Sequence, residues 1–128
     1  MKKRDDVLEW IQKAEQDYHT SVTMARIRKV SVPDIVGFHC QQCIEKYIKA
    51  FLVMQRRDFP KTHDLMELLE VVVQEDSLLE AVRPDLRLLN PFSVQFRYPG
   101  ESATDDDVAL AFKVMKRLRK LFRGKVLL

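Results

Sequence analysis

One uninterrupted stretch, from Phe38 to Leu52, constrains the fold of this chain more than any other. It contains no glycine or proline, and its apolar residues recur at helical rather than alternating spacing. At about 100° per residue, they cover more than half of the helix circumference. These residues are Cys40, Cys43, Ile44, Tyr47, Ile48, Phe51 and Leu52. An ordinary surface helix has a narrower apolar face, so the stretch predicts a central helix that other elements contact from several sides.

The polar residues of this stretch share one strip of the predicted helix. They follow the spacing i, i+3, i+4, i+7 and are Gln42, Glu45, Lys46 and Lys49. Charges on an otherwise buried helix are costly unless they are paired or used, so the strip is a candidate binding surface. Gln41 points instead into the apolar arc, where it needs a hydrogen-bond partner.

The rest of the chain also predicts helices. Only 3 of the 128 residues are glycine and 5 are proline, and strand-type alternation is missing. We predict an all-α fold with a single domain over residues 1–128, an antiparallel up-down bundle of four to five helices. No run of about 18 apolar residues and no signal-peptide core is found, so we expect a cytoplasmic protein without a membrane span.

Apolar spacing and capping residues place three helices in the first half of the chain. The first is predicted over about residues 5–28. After a break at residues 31–34, the central helix runs to about Gln55. A basic connector then leads to Thr62, which we predict to cap a third helix that opens at His63.

The second half contains short helical segments followed by one long helix. Residues 77–83 are predicted to be helical and to be interrupted at Pro84, after which residues 85–89 continue the helix in a kinked or restarted form. Residues 90–102 form the longest non-helical stretch. The last helix starts at Thr104, because three aspartates follow in its first turn. Its second apolar line consists of Leu110, Val114 and Leu121. Such a line indicates burial on two sides or an oligomer contact, and for a terminal helix we favour a homodimer.

Cys40 and Cys43 form a C-x-x-C pair, a pattern found in redox and zinc sites. A thioredoxin-like site needs its first thiolate at a helix N-terminus, whereas this pair lies inside a helix. A zinc site would need two further ligands, and His19 and His63 are the histidines that could be recruited. We interpret the pair as reduced core residues, with a metal or redox role as the alternative, and predict no metal and no cofactor.

Residues 113–125 hold seven lysines or arginines and no acid, although the net charge of the chain is only +3. A basic run of this kind can meet nucleic acid or an acidic partner. It can also complement the dipole at the C-terminal end of a helix, and we favour that interpretation.

Arg57 and His63 are candidate catalytic residues, with five residues between them. Brought together, they could act on RNA, because a histidine can serve as acid or base while an arginine stabilises the charge developing on a phosphate. Phe59 and Pro60 make the intervening segment a loop. The alternative is that His63 and Asp64 help to cap the third helix.

Arg97, Tyr98 and Pro99 could form a phosphate- or base-binding edge in the late loop. Arginine would supply charge and tyrosine a surface for stacking. The alternative is a rigid loop in which Tyr98 covers the core and Arg97 pairs with a carboxylate such as Glu45.

Four short motifs in this order resemble those of the HEPN domain family, small helical bundles found alone or beside minimal nucleotidyltransferases. They are W-x-x-x-A-x-x-D from Trp10, Q-Q-x-x-E-K-x-x-K-A from Gln41, T-H-D-L from Thr62 and R-Y-P from Arg97. The resemblance implies a bundle that dimerises, an association with nucleotide or RNA, and a toxin-like partnership with a nucleotidyltransferase antitoxin. It also implies that Arg57 and His63 correspond to the R-x(4–6)-H motif of HEPN ribonucleases, whose residues cluster at a dimer cleft.

The sequence thus predicts a HEPN-like protein that binds a nucleotide, RNA or a minimal nucleotidyltransferase partner, as half of a toxin–antitoxin pair. The predicted binding residues are Gln42, Glu45, Lys46, Lys49, Asp64, Arg97 and Tyr98. One alternative is a metal-independent ribonuclease toxin that uses Arg57 and His63 across a dimer cleft. The other is a purely structural dimeric bundle, in which the polar strip only organises helix packing.

Overall fold

The computed structural model describes residues 4–27, 32–97 and 99–127, without the side chain of Arg97. In this part of the chain the α-helices are α1 (Asp5–Ala25), α2 (Pro33–Met54), α3 (Leu65–Glu75), α4 (Arg83–Leu89) and α5 (Asp105–Val126). Short 3-10 helices span Ser77–Val82, Asn90–Ser93 and Gln95–Arg97. The described residues include no strand, and the predicted all-α fold is confirmed. None of their helices has both the length and the apolar character that crossing a bilayer requires.

Helix α2 lies at the centre of the bundle, as the Phe38–Leu52 stretch predicts. Every residue from Cys40 to Leu52 is buried except Lys46, which is half-buried. Helix α1 packs along α2 on one side and α5 packs on another, while α3, α4 and the turn at residues 90–93 complete its surroundings. Phe51 of α2 meets Phe122 of α5 edge to face, with 6.3 Å between the ring centroids.

Two helix ends in the first half differ from the prediction. Helix α1 ends at Ala25, and Arg28 lies outside the described residues. Thr62 is not the cap of α3, which begins at Leu65 and is capped by Asp64. The Asp64 Oδ1 atom accepts the Met66 N–H at 2.9 Å, whereas the Thr62 hydroxyl accepts the Asp64 N–H at 3.0 Å.

Asn90 ties the start of α3 to the end of α4. Its Oδ1 atom accepts the Leu65 N–H at 2.9 Å, and its Nδ2 atom donates to Asp64 Oδ1 at 2.9 Å. Both contacts satisfy groups that a helix N-terminus otherwise leaves without partners. The start of α3 is therefore fixed by a residue from a distant part of the chain.

The second half confirms a predicted helix restart and a predicted cap, and it corrects one prediction. The 3-10 helix at Ser77–Val82 ends just before α4, whose first turn contains Pro84, so the helix restarts at this proline, one of the two forms predicted for residues 85–89. Residues 90–102 contain two 3-10 turns where the sequence predicts a non-helical stretch. The predicted cap of α5 is confirmed, because Thr104 and Asp107 form a complete capping box with distances of 3.0 and 2.9 Å.

The basic run of α5 mainly ties this helix to the rest of the bundle. Four of its seven cations pair with acids on other elements: Arg117 with Asp85 at 2.7 Å, Arg119 with Glu15 at 2.6 Å, Arg123 with Glu15 at 3.3 Å and Lys125 with Asp76 at 2.8 Å. The helix dipole therefore accounts for only part of the run, although its last turn does contain Arg123 and Lys125.

Candidate functional site

A buried hydrogen-bond network on α2 holds His63 at the start of α3. The Glu45 carboxylate lies 3.0 and 3.1 Å from His63 Nδ1 through its two oxygens. Gln41 Nε2 donates to Glu45 Oε1 at 3.2 Å and to the backbone oxygen of His63 at 3.1 Å. Gln41 therefore has the hydrogen-bond partners that it needs in the apolar arc. Both the side chain and the backbone of His63 are held by residues on one face of α2.

Lys49 compensates the charge of Glu45 inside the bundle. Its Nζ atom donates to Glu45 Oε2 at 3.1 Å, and the two side chains are only 9% and 3% exposed. The Trp10 ring of α1 lies over this pair, with its centroid 5.6 Å from Lys49 Nζ. Gln42 completes the network by donating to Gln41 Oε1 at 2.7 Å. A buried carboxylate with this many partners is well satisfied.

The four residues of the predicted strip separate into two groups. Glu45, Lys49 and Gln42 belong to the buried network. Lys46 turns towards α1, where its Nζ atom lies 2.5 Å from Asp17 Oδ2. Asp17 Oδ1 also lies 2.8 Å from His39 Nδ1, a pairing that the sequence analysis did not identify. Three members of the strip therefore take part in the network that holds His63, and the fourth, Lys46, pairs with the carboxylate that also contacts His39.

His63 itself is exposed, in contrast to the groups that hold it. Its side chain is 68% exposed, while that of Glu45 is 3% exposed. Since Nδ1 faces the carboxylate, Nε2 is the ring nitrogen that an incoming ligand can reach. A carboxylate-held imidazole with one nitrogen open is an arrangement suited to proton transfer or to hydrogen bonding with a phosphate.

Two grooves meet at His63. The first has a volume of about 740 Å³ and is lined by residues of α1, the end of α2 and the connector, including Trp10, Lys49, Arg56, Arg57 and Lys61. The second has a volume of about 770 Å³ and is lined by residues such as Asp64, Arg87, Asn90 and Gln95. Both include Lys61, Thr62 and His63. His63 therefore stands on the boundary between the grooves.

The first groove carries a surplus of positive charge. Its lining has five cationic side chains and two acidic ones, Asp6 and Asp58. Arg56 and Lys61 are exposed, and neither forms an ion pair with another described residue. A third depression, of about 460 Å³ between the ends of α1, α2 and α5, is lined mainly by apolar side chains. The first groove is therefore the better site for an anionic ligand.

Arg57 lines the same groove as His63, but its guanidinium is held elsewhere. Its Nη1 atom lies 3.0 Å from Glu75 Oε1, and its Nη2 atom donates to Gln74. Both partners belong to the C-terminal end of α3, whereas His63 precedes the N-terminal end. Because α3 has 11 residues and is about 16 Å long, the structure does not bring the two functional groups together within one chain.

The chain turns into the connector through an unusual C-cap. Arg56 has a φ of 56°, in the left-handed region that favours glycine. The N–H groups of Arg56 and Arg57 donate to the backbone oxygens of Val53 and Leu52 at 3.0 and 2.9 Å, which is the Schellman pattern. This turn places both arginines beside the groove.

The other predicted binding residues have less direct roles or lie outside the described part. Asp64 lines the second groove, but its carboxylate is occupied by the α3 cap and by Asn90. Nothing is described of the Arg97 side chain or of Tyr98, so their predicted roles in binding lie outside the described residues.

Cys40 and Cys43 lie in the core. Both are free thiols with no exposed surface. Burial raises the pKa of Cys40 to about 12, against a small opposing effect of its hydrogen bond with Ser21. Within the described residues, no three His, Cys, Asp or Glu side chains are arranged to hold a metal ion. The interpretation of the pair as core residues is confirmed.

A model of a known protein family matches the part of the chain that builds this site. The model of the family described as HEPN domain matches residues 7–125, which run from the first turn of α1 to the last turn of α5. No curated protein and no solved structure matched the chain. The matched residues include the complete network around His63.

Proposed function

This chain belongs to the HEPN domain family, and we propose that it binds RNA or a nucleotide in the basic groove beside His63. One observation carries this proposal: the buried Glu45 fixes an exposed histidine at the point where two grooves meet. A ligand phosphate next to His63 would be within the reach of Arg56 and Lys61. Cationic side chains that flank a hydrogen-bonding imidazole form a common type of phosphate site.

Charge removal in the groove tests the proposal. We would measure the affinity of a fluorescent single-stranded RNA for a variant carrying Arg56→Ala and Lys61→Ala. The matched control carries Lys113→Ala and Lys120→Ala, which remove two exposed cations from α5. Loss of two phosphate contacts weakens binding and lowers the slope of log Kd against log salt concentration by about 1.4. Equal behaviour of the two variants would overturn the groove as the binding site.

A second candidate function is a metal-independent ribonuclease with His63 as general acid or base. The contact between Glu45 and His63 Nδ1 favours it, because a carboxylate that orients an imidazole leaves the other nitrogen in place for proton transfer. Arg57 would have to leave Glu75 and Gln74, or be supplied by the second subunit of a dimer, to stabilise the phosphate.

The ribonuclease candidate is tested by incubating labelled RNA with the protein in EDTA. Cleavage should persist in EDTA and vanish in His63→Ala. The matched control is His39→Ala, which removes a histidine held by the carboxylate of Asp17 at 2.8 Å away from both grooves. If the folded wild-type protein binds RNA but leaves it intact, the binding function stands and the ribonuclease candidate is ruled out.

A protein partner is a further part of the proposal. Leu110 and Leu121 on α5 are 52% and 37% exposed, whereas Val114 on the same apolar line is 4% exposed. A second copy of this chain, or a minimal nucleotidyltransferase acting as its antitoxin, would cover these leucines. Sedimentation tests the homodimer, because Leu110→Asp with Leu121→Asp should convert a dimer into a monomer. A monomeric wild-type protein would remove the homodimer from the proposal.

The purely structural alternative explains less of the site. It accounts for the buried pair of Glu45 and Lys49, which could simply organise the packing of α2. It gives no reason for the 68% exposed ring of His63 or for the basic groove next to it.

A further inference from the structure

The single tryptophan of the chain lies in the basic groove. Trp10 is half-buried on α1, and Lys49 Nζ lies 5.6 Å from its ring centroid. The same residue also lines a smaller depression of about 350 Å³, with Asp6, Glu9 and Lys13. The ring is therefore reachable from two depressions, even though α1 packs along α2.

Trp10 shares its groove with the groups expected to hold a phosphate. Arg56 and Lys61 are exposed cations of the groove lining, and His63 stands at its boundary with the second groove. An aromatic ring beside a cationic path is the combination by which proteins hold single-stranded nucleic acid, since the backbone follows the charge and a base stacks on the ring. The groove thus offers a position for a base as well as for a phosphate.

We propose that Trp10 is the base-stacking residue of the groove and that it selects an unpaired nucleotide. The inference rests on the proposed binding of RNA or a nucleotide. A base inside a duplex already stacks on both of its neighbours, so it cannot also stack on a protein ring unless it leaves the helix. The apolar part of the groove lining consists of Trp10, Val53 and Phe59. A groove in which a base can stack on the Trp10 ring therefore favours a single strand over a duplex of the same sequence.

The position of Lys49 supports the stacking role. Its ammonium group is held by Glu45 at 3.1 Å and lies over the Trp10 ring, 5.6 Å from its centroid, so this cation–π contact restrains the ring. The competing role for Trp10 is to keep water away from the pair of Glu45 and Lys49. A ligand without bases distinguishes the two roles, because only the stacking role requires a base.

Intrinsic fluorescence gives a direct test, because all tryptophan emission comes from Trp10. The protein is titrated with a short single-stranded oligoadenylate, with the same strand in a duplex, and with inorganic polyphosphate of equal charge. We expect the single strand to quench the emission, the duplex to quench it much less, and polyphosphate to bind without quenching. Single-strand binding without any quenching would overturn the stacking role while the proposed function would stand.

Substitution separates stacking from the shape of the groove. Anisotropy of a labelled oligoadenylate is compared for Trp10→Leu, Trp10→Phe and the wild-type protein. We expect Trp10→Leu to lose about five- to a hundredfold in affinity for the single strand and to keep its affinity for polyphosphate, while Trp10→Phe retains most of both. Equal losses for both ligands in Trp10→Leu would mean that Trp10 only shapes the groove, which overturns the inference.

The matched control is Phe112→Leu. Phe112 is a half-buried aromatic residue with Lys116 Nζ 4.5 Å from its ring centroid, but it lines the apolar depression instead of the basic groove. This variant should bind the single strand like wild type, and an equal loss in both variants would count against Trp10. If the wild-type protein binds neither oligoadenylate nor polyphosphate, the proposed function fails and the inference fails with it.

Discussion

The carboxylate of Glu45 and the imidazole of His63 are 18 residues apart in sequence and 3.0 Å apart in space. One side chain is 3% exposed and the other is 68% exposed. The contact therefore joins the interior of the bundle to the boundary between its two grooves. As a result, the position of His63 depends on how α2 is packed.

Removing Glu45 should destabilise the protein strongly. In Glu45→Ala the ammonium of Lys49 stays buried without its partner, at a cost of about 3–5 kcal/mol in the free energy of unfolding. The double variant Glu45→Leu with Lys49→Met removes both charges and should recover much of that loss. Chemical denaturation measures both. A double variant no more stable than Glu45→Ala would show that charge compensation is not what Lys49 contributes.

Two glycines inside helices should respond to alanine in opposite directions. A Cβ atom on Gly37 would lie 2.1 Å from the Phe92 ring, so Gly37→Ala should cost about 1–3 kcal/mol or more. A Cβ atom on Gly124 would meet nothing within 4 Å, so Gly124→Ala should gain up to about 1 kcal/mol. Midpoints of thermal unfolding report both changes. A gain in stability for Gly37→Ala would contradict the close packing of Phe92 on α2.

Arg56→Gly should stabilise the protein by about 1 kcal/mol, because glycine adopts a φ of 56° without the cost that arginine meets there. The matched control is Gln55→Gly at the preceding residue, whose φ of −78° suits any side chain. The control should lose stability through the added freedom of the unfolded chain. Urea denaturation compares the two, and a loss in Arg56→Gly would show that its side-chain contacts outweigh the backbone strain.

Acid should weaken the packing of α1 against α5 through Glu15. Burial acts to raise the pKa of Glu15, but hydrogen bonds from Arg119 and Tyr47, with the charges of Arg119 and Arg123, lower it below its ordinary value of 4.5. A lowered carboxyl pKa in the folded state contributes stability above the unfolded pKa, and this stability is lost as the pH falls through the folded pKa. The free energy of unfolding should therefore drop below about pH 4.5 through this group, and it should drop less in Glu15→Gln. Denaturation curves at several pH values measure the difference, and parallel curves would refute the role of Glu15.

The two thiols should not react in the folded protein. Cys40 has no exposed surface, and its raised pKa of about 12 leaves very little thiolate near neutral pH. Cys43 is equally buried, and burial raises its pKa as well. A colorimetric thiol reagent should detect no thiols in the native protein and two after unfolding. Reaction of the native protein at the rate of a free thiol would indicate that α2 opens.

Signals that lie within a few residues were sufficient to predict several features. Thr104 and Asp107 form their capping box as expected, because both residues belong to one helix turn. The apolar arc of the Phe38–Leu52 stretch is equally local, and it correctly predicts a central helix. The need of Gln41 for a partner also follows from its place on that arc.

Contacts between distant residues decided the features that the sequence could not predict. The sequence leaves Thr62 and Asp64 open as caps, and Asn90, 26 residues after Asp64, lies against the one that is used. Lys46 shares a strip with Lys49, but the position of Asp17 on α1 turns it away from the network. The spacing of Arg57 and His63 in the sequence does not reveal Glu75, which binds the arginine at the other end of α3.

The two ends of α3 are held with very different strength, and local opening of the chain should follow that difference. At the first turn, Asn90 binds the Leu65 N–H, Asp64 caps the helix, and Gln41 holds the backbone just before it. At the last turn, the contact of Arg57 with Glu75 joins side chains that are 38% and 26% exposed. Fluctuations on the native side of the unfolding barrier begin where contacts are few and solvated. Arg57 can therefore be released and recaptured many times while His63 keeps its place, so that this cation of the groove moves independently of the imidazole.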